Sequence, residues 1–234
     1  MSNKKTEIIP AILPESYAEL SDKIYKAKNS ASLVQVDICD GKLTSASTWP
    51  YERGKIPVFN DDFEMPFWES LDFELDLMIL NPENHIDNLK NLGCTRAVIH
   101  FGSTTLEGLI TAGTLLDAYD IEVGVAITND TEMAELKKVL SGLEESSINA
   151  YVQVMGIGER GKQGQPFDGR TLDTLKKLRT EYPNTILQVD GSVSDKVARL
   201  LIESGASRLV VGSWLYNEQY TVQNRITILK NLIY

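Results

Sequence analysis

The sequence predicts an α/β protein folded as a (β/α)8 (TIM) barrel, and three observations lead to that fold class. Eight short apolar runs alternate with about eight amphipathic stretches of helical length, which indicates a parallel sheet covered by helices. The 234 residues of the chain are close to the roughly 250 that eight βα units need. The alternative, a doubly wound open sheet, normally has a glycine-rich loop after its first strand, and Leu13-Pro14-Glu15-Ser16 contains no glycine.

The predicted strands share a short run of mainly apolar residues that ends at a polar or glycine-containing turn. Such runs are typical of strands that are buried on both faces. In chain order they lie at residues 8–13, 33–38, 73–80, 96–101, 122–127, 150–156, 186–189 and 208–211.

The stretches between the strands have the 3.6-residue spacing of amphipathic helices. They lie at residues 17–28, 81–92, 105–118, 130–143, 170–182, 194–204 and 218–232, with a further short helix at 67–71 in the long connection after the second strand. Leu20 and Ile24 share one face of the first helix. Asn81 is a favourable N-cap with a proline in the first turn behind it, and Asp130 or Thr131 caps the helix at 130–143.

Composition indicates an ordinary globular protein. Hydrophobic residues make up 42% and charged residues 24% of the chain, and no linker or low-complexity tract divides it. We therefore expect one barrel domain over residues 1–234, with residues 1–6 flexible.

The charge balance bears on partners. Lys and Arg number 23 against 33 Asp and Glu, a net charge of −10, whereas a grip on nucleic acid or on an anionic membrane needs clustered cations. We therefore predict no nucleic-acid partner and no membrane partner. A phosphorylated metabolite remains compatible, because backbone N–H groups commonly hold phosphates.

Location is predicted from the N-terminus and the cysteines. The polar first seven residues and the short apolar run after them resemble neither a signal peptide nor a membrane span. Cys39 and Cys94 are far apart and lie in apolar runs, which is typical of reduced, buried cysteines. A cytoplasmic location is the expectation.

Two strands of similar design end in a carboxylate. Gln35 precedes Asp37 by two residues, and Gln188 precedes Asp190 by two residues, each within an apolar run and close to a glycine. An unpaired buried carboxylate is costly, so the simplest alternative is that Asp37 caps the following loop. Because the strand ends of a barrel form its active face, we instead expect Asp37 and Asp190 to converge on one site from opposite sides of the ring.

Two further polar residues interrupt predicted strands. Asp76 lies within the third strand, on the same face as Glu74 and Met78, and His100 ends the fourth. A hydrogen bond to a neighbouring element is the structural alternative for Asp76, and a satisfied core histidine is the alternative for His100. Both positions also fit an active site.

Glycines concentrate in the last three strand-to-helix loops. They are Gly156, Gly158, Gly161 and Gly164 after the sixth strand, Gly191 after the seventh, and Gly212 after the eighth. Because glycine lets backbone N–H groups approach an anion, and phosphate sites of such barrels often lie at the last loops, these turns predict a phosphate site.

Taken together, the ordered motifs resemble those of the ribulose-phosphate 3-epimerase family over about residues 9–216. The motifs are Pro10-Ala11-Ile12-Leu13, Val34-Gln35-Val36-Asp37-Ile38-Cys39-Asp40-Gly41, Asp76-Leu77-Met78-Ile79, Asn81-Pro82-Glu83, Val154-Met155, Gly161-Lys162-Gln163-Gly164-Gln165-Pro166-Phe167, Val189-Asp190-Gly191 and Val211-Gly212-Ser213. The resemblance implies a barrel of the ribulose-phosphate-binding type that inverts C3 of a ketopentose phosphate through an enediolate.

The resemblance also implies roles for single residues. Asp37 and Asp190 match the two aspartates that act as acid and base on opposite faces of the substrate. The positions that match the family's substrate and phosphate contacts are Met78, His100, Met155, Gly164, Gln165, Gly191, Ser192, Gly212 and Ser213.

This chain departs from the family at two metal ligands. Gln35 and Asp76 stand where the family has histidines. If a divalent cation is retained, Asp37, Asp76, Asp190 and the amide oxygen of Gln35 form an all-oxygen set, which favours Mg²⁺ or Mn²⁺ over zinc or iron. Without a cation, the converging carboxylates repel one another and at least one pKa rises.

Three functions are therefore compared. The first is an epimerase or related isomerase acting on a phosphorylated ketose, and the second is a catalytically impaired barrel that binds a sugar phosphate. The third is a related sugar-phosphate decarboxylase, which usually has an Asp-x-Lys-x-x-Asp run, whereas residues 37–41 have no lysine at that spacing. The resemblance also implies a homo-oligomer.

Overall fold

The predicted closed barrel is confirmed. The computed structural model describes residues 6–52, 54–60, 62–162, 164–217 and 219–233. Eight parallel strands pair in chain order and close with β8 against β1. The strands are β1 Glu7–Ile12, β2 Leu33–Cys39, β3 Asp72–Met78, β4 Arg96–His100, β5 Glu122–Ile127, β6 Tyr151–Met155, β7 Leu187–Asp190 and β8 Arg208–Val211.

Helices cover the outside of the barrel. They are α1 Tyr17–Ala27, α2 Ile86–Leu89, α3 Leu106–Ala118, α4 Met133–Glu145, α5 Arg170–Glu181, α6 Ala198–Glu203 and α7 Val222–Ile233. Ser16 caps α1 by accepting a hydrogen bond from the Glu19 N–H, and Thr105 caps α3 in the same way with Gly108. These caps agree with the preference for hydroxyl side chains at helix N-termini.

Several predicted helices differ from those observed. Residues 66–70 form turns, and the positive φ of Phe67, 64°, interrupts any helix there. The helix predicted at 81–92 is split into 3₁₀ turns on either side of the short α2. Asn81, the predicted N-cap, takes a left-handed conformation and its side chain caps nothing, and His85, at φ −120°, separates the first turn from α2. The helix predicted from residue 194 begins only at Ala198.

Other sequence expectations fall on residues outside the described part. The start predicted to be flexible, residues 1–6, lies outside that part except for residue 6. Gln163 of the glycine-rich loop and Glu218, the predicted start of the last helix, also lie outside it. Both cysteines are buried and free of disulfides. Among the described helices, none has the length and apolar character to cross a bilayer.

The register of the strands decides which side chains meet inside the barrel. Successive residues of a strand point to opposite faces, so each strand sends alternate residues outward to the helices and inward. The outward residues join the large apolar core between sheet and helices. Inside, an apolar cluster of Ile9, Ala11, Leu33 and Val210 is accompanied by polar side chains, and β2 pairs with β3 so that Asp37 lies beside Asp76.

Candidate active site

A pocket opens at the carboxyl ends of the strands, where barrel enzymes place their active sites. It has an empty volume of about 550 Å³ that includes open solvent. Its described lining residues are Ala11, Leu13, Asp37, Met78, Met155, Ile157, Gly161, Lys162, Gly164, Asp190, Gly191, Ser192, Val193, Gly212 and Ser213. Most of the residues predicted to bind substrate or phosphate therefore line one pocket.

Three carboxylates meet at the floor of the pocket. Asp37, Asp76 and Asp190, called the carboxylate trio below, each place one oxygen so that these atoms all lie within 4.8 Å of one another. Asp76 is fully buried, and Asp37 and Asp190 are 8% and 9% exposed. Strands β2 and β7 are separated by β1 and β8, so Asp37 and Asp190 approach each other at an angle and not from exactly opposite sides of the ring.

The amide of Gln35 bridges two members of the trio. Its Nε2 donates to Asp37 Oδ1 at 2.9 Å and lies 3.5 Å from Asp190 Oδ2. Its oxygen lies 3.4 Å from Gln188 Nε2. Gln35 thus presents its nitrogen to the carboxylates in this arrangement, and the amide must turn over before its oxygen can serve as a metal ligand.

Burial and mutual repulsion raise the pKa values of the two predicted catalytic aspartates. Loss of water is the largest cause for both. The charges of Asp190 and Asp76 add to the rise in the pKa of Asp37, and the charges of Asp76 and Glu74 add to the rise in the pKa of Asp190, while Gln35 partly opposes both shifts. A carboxyl group with a raised pKa can carry a proton near neutral pH, which is a requirement of general acid catalysis.

Asp76 is held on both of its oxygens. The Nε2 of His100, a fully buried side chain, is hydrogen-bonded to Asp76 Oδ1. Gln153 Nε2 donates to Asp76 Oδ2 at 2.9 Å. His100 therefore lies behind the trio and does not line the pocket, so the structure places it in contact with Asp76 and not at the substrate surface.

A polar network continues from the trio into the barrel. Gln188 Nε2 lies 2.8 Å from Gln153 Oε1 and 2.7 Å from Glu74 Oε1, and the Tyr151 hydroxyl donates to Glu74 Oε2 at 2.7 Å. Sequence reasoning assigned no role to Gln153 or Tyr151. The inward alternation of β6 could have found both, because each lies an even number of residues from Met155.

The glycine-rich end of the pocket is suited to an anion. Gly191 has φ 110°, a conformation that glycine adopts freely, and a Cβ there would lie 2.9 Å from the Ile157 side chain. Lys162 adds a cation to the lining. Gln165 is not among the described lining residues. It fixes the loop between β6 and α5, since its Oε1 accepts from the Glu159 N–H at 3.0 Å and its Nε2 donates to the Lys162 carbonyl at 2.9 Å.

Asp40, the other carboxylate of the second-strand motif, holds the loop in place. Its Oδ1 accepts hydrogen bonds from the N–H groups of Lys42 and Leu43 at 2.8 and 2.9 Å, and its Oδ2 accepts from Leu80 N–H at 2.9 Å. Asp40 therefore ties the end of β2 to the end of β3. The loop-capping role considered for Asp37 belongs to Asp40.

The carboxylate trio fits a hard divalent cation. Its donors are oxygen atoms, which Mg²⁺ and Mn²⁺ prefer to the nitrogen and sulfur sets typical of zinc. Burial is the main cause of the raised pKa values of Asp37 and Asp190, and repulsion between the carboxylates adds to it. A cation between the carboxylates would offset that repulsion.

Comparison with known proteins gives one consistent result. The chain matches the model of the ribulose-phosphate 3 epimerase family over residues 7–216. Ribulose-phosphate 3-epimerase of Schizosaccharomyces pombe is 26% identical over 220 residues, covering 92% of this chain and 89% of that protein. The protein of the same name from Bacillus subtilis is 24% identical over 218 residues, covering 91% and 93%.

Solved structures share the fold. The 3-keto-L-gulonate-6-phosphate decarboxylase of Vibrio cholerae superimposes with a TM-score of 0.65 at 11% identity, covering 99% of this chain and 98% of that one. At this identity the likeness concerns the barrel architecture alone.

Proposed function

The chain belongs to the ribulose-phosphate 3-epimerase family, and from this premise we propose that it inverts C3 of a ketopentose phosphate or a related ketose phosphate. The observation that carries the proposal is the meeting of Asp37 and Asp190 in one pocket beside Asp76. Two buried carboxyl groups with raised pKa values are suited to exchange protons with a carbon acid.

The proposed reaction uses one aspartate on each face of the substrate. Asp37 or Asp190, as the carboxylate, removes the C3 proton next to the ketone and gives an enediolate. The other aspartate, which carries a proton, delivers it to the opposite face of C3. The Gln35 amide, which lies between the two carboxylates, orients them through the exchange.

A divalent cation, with Mg²⁺ or Mn²⁺ favoured over zinc or iron, would be held by Asp37, Asp76 and Asp190 and would offset the negative charge that develops on the substrate oxygens. Gln35 could join this set only after its amide turns over.

The phosphate is proposed to lie at the glycine-rich end of the pocket. Backbone N–H groups near Gly164, Gly191-Ser192 and Gly212-Ser213, together with the Lys162 ammonium, would hold its charge. Met78 and Met155, which also line the pocket, would contact the sugar. This arrangement fixes one end of the substrate while proton exchange occurs at the other.

Isotope exchange tests the proposal. Purified protein is incubated with ribulose 5-phosphate in deuterated water, with and without Mn²⁺ or Mg²⁺, and deuterium at C3 and formation of xylulose 5-phosphate are measured by NMR. We expect both, and we expect Asp190→Asn to abolish exchange while sugar-phosphate affinity is nearly kept. Asp173→Asn, at an exposed position on α5, is the matched control. Exchange that survives in Asp190→Asn removes Asp190 from the mechanism.

A second candidate is a barrel that binds a sugar phosphate without catalysis. It is favoured by the position of the Gln35 Nε2, whose hydrogen bond to Asp37 stabilises the carboxylates without a cation. Measurable sugar-phosphate binding combined with no exchange under any metal condition would support this candidate and reject the epimerase. A decarboxylase is disfavoured because residues 37–41 have no lysine.

Some expectations from the sequence stay predictions. They are the single domain over residues 1–234, the cytoplasmic location and the homo-oligomer. Light scattering of the purified protein measures the last of these, and a monomeric mass would contradict it.

A further inference from the structure

We infer that Arg160 is a positioning residue that acts through His100 to fix the orientation of Asp76 in the carboxylate trio. The inference rests on the proposed function in taking the trio as the reacting site. Arg160 lies in the loop between β6 and α5, and its Nη1 is 3.3 Å from His100 Nδ1 and 3.1 Å from the Phe101 carbonyl oxygen. The loop therefore passes over the end of β5 to reach the end of β4.

The contact with Arg160 selects one tautomer of His100. A guanidinium group donates hydrogen bonds and accepts none, so the ring nitrogen that faces it, Nδ1, must carry a lone pair. A neutral ring with its lone pair on Nδ1 carries its proton on Nε2. That nitrogen faces Asp76 Oδ1, so the ring donates to the carboxylate.

Asp76 is then fixed from two sides. His100 holds Oδ1 and the Gln153 amide holds Oδ2, which leaves the carboxylate plane little freedom to rotate. Asp76, His100 and Gln153 come from β3, β4 and β6. The loop that carries Arg160 is the fourth element in this arrangement. The row Arg160, His100, Asp76 thus links the loop to the trio.

The inward direction of Arg160 argues against an ordinary surface ion pair. Its neighbour Glu159 is exposed and lies 3.4 Å from Lys162, and among the described ion pairs Arg160 has no carboxylate partner of its own. Burial lowers the pKa of Arg160, and the negative charge of Asp76 opposes that effect. The Arg160 guanidinium has exchanged water for His100 Nδ1 and the Phe101 carbonyl oxygen. It can therefore act on the buried Asp76 carboxylate through the His100 ring.

Nitrogen NMR of the metal-free protein tests the tautomer directly. The chain has only two histidines, so His85→Gln assigns the ring signals. In the wild type we expect His100 with a proton on Nε2 and a hydrogen-bonded lone pair on Nδ1. Arg160→Met should shift the Nδ1 signal, because its donor is lost. Lys42→Met, which removes the same charge from the groove that Arg160 also lines, should leave the His100 signals unchanged.

The effect of Arg160 on the trio is tested by measuring the affinity for Mn²⁺ from water-proton relaxation. Loss of a group that orients a metal ligand typically costs 10- to 100-fold in affinity, so we expect Arg160→Met to weaken binding by about that factor. Arg160→Lys keeps the charge but loses the planar fork and should be intermediate. In a His100→Gln background, Arg160→Met should have no further effect, because Arg160 acts through the ring.

Three results would overturn the inference. They are a wild-type His100 with its proton on Nδ1, ring signals in Arg160→Met that match those of Lys42→Met, and an effect of Arg160→Met that is unchanged in the His100→Gln background. If the wild type exchanges no C3 proton under any metal condition, the proposed function fails, whereas the ring signals still decide the role of Arg160.

Discussion

At the scale of single residues, Glu74 makes the stability of the barrel depend on pH. Burial raises its pKa to about 7 from 4.5, although hydrogen bonds from Tyr151 and Gln188 oppose the shift. Below pH 4.5 Glu74 is protonated in both the folded and unfolded protein. Between the two pKa values only the folded protein keeps the proton, so stability falls as pH rises through this window.

Glu74→Gln should remove this dependence. We expect the free energy of unfolding of the wild type, measured relative to that of Glu74→Gln, to fall by about 3 kcal/mol as pH rises from below 4.5 to above 7. Urea unfolding at a series of pH values measures the difference, and Glu203→Gln, on an exposed side chain, is the control. A difference that does not change with pH would contradict the raised pKa of Glu74.

Gln35 is the second residue with a consequence of its own. The family resemblance implies a histidine at this position, and imidazole nitrogen is a preferred ligand of zinc. Gln35→His should therefore raise the affinity for Zn²⁺ relative to Mn²⁺ by about tenfold or more, measured by competition binding. Gln35→Asn, which keeps an amide, is the control, and an unchanged ratio of the two affinities would show that residue 35 does not approach the cation.

At the scale of elements, the turn after β7 depends on glycine. Gly191 has φ 110°, and a Cβ would lie 2.9 Å from the Ile157 side chain and 3.2 Å from the Gly156 nitrogen. Gly191→Ala should cost about 1–3 kcal/mol of stability and weaken sugar-phosphate binding, as measured by urea unfolding and calorimetry. Gly169→Ala, in helical conformation with open space around it, should be neutral or slightly stabilising. Equal effects of the two substitutions would contradict the strain.

The loop after β2 depends in a similar way on Asp40. Asp40→Ala leaves three backbone N–H groups, those of Lys42, Leu43 and Leu80, without their acceptor. We expect a loss of about 2–4 kcal/mol in the free energy of unfolding, measured by urea titration. Asp40→Asn keeps one acceptor oxygen and should lose roughly half as much. If Asp40→Ala lost less stability than Asp40→Asn, water would be taking the place of the carboxylate.

The elements also show where sequence patterns succeed. The strands were predictable because apolar runs and the alternation of side chains are local properties, and the same alternation placed Asp37 and Asp76 inside the barrel. The prediction of a continuous helix at 81–92 was wrong. The sequence does not show whether Asn81 caps a helix or, as here, takes a left-handed conformation. No sequence pattern indicates a role for Arg160, because only the path of the loop between β6 and α5 brings it to His100.

At the scale of the whole molecule, the end of the barrel away from the pocket is closed by four charged residues. They are the first residues of their strands, Glu7, Arg96, Glu122 and Arg208. Arg208 lies 3.3 Å from Glu7 and 3.0 Å from Glu122, and Arg96 lies 3.0 Å from each of the same two carboxylates. The ring therefore joins β8 and β1, where the barrel closes, to β4 and β5.

Arg208→Met should destabilise the whole barrel, because the Arg208 side chain is only 8% exposed and its loss leaves Glu7 and Glu122 with one cation between them. Breaking a buried pair typically costs about 3–5 kcal/mol, but the Glu7 and Glu122 side chains are 30% and 36% exposed. We therefore expect a smaller loss of about 2 kcal/mol in urea unfolding, part of which persists at high salt. The matched control is Arg199→Met, which removes an exposed pair with Glu203 and should cost less than about 1 kcal/mol. Adding Glu122→Gln to Arg208→Met should restore part of the stability, since it removes one of the two carboxylates that then share Arg96. If Arg208→Met costs no more than Arg199→Met, the ring does not hold the barrel closed, and the hydrogen bonds between β8 and β1 suffice.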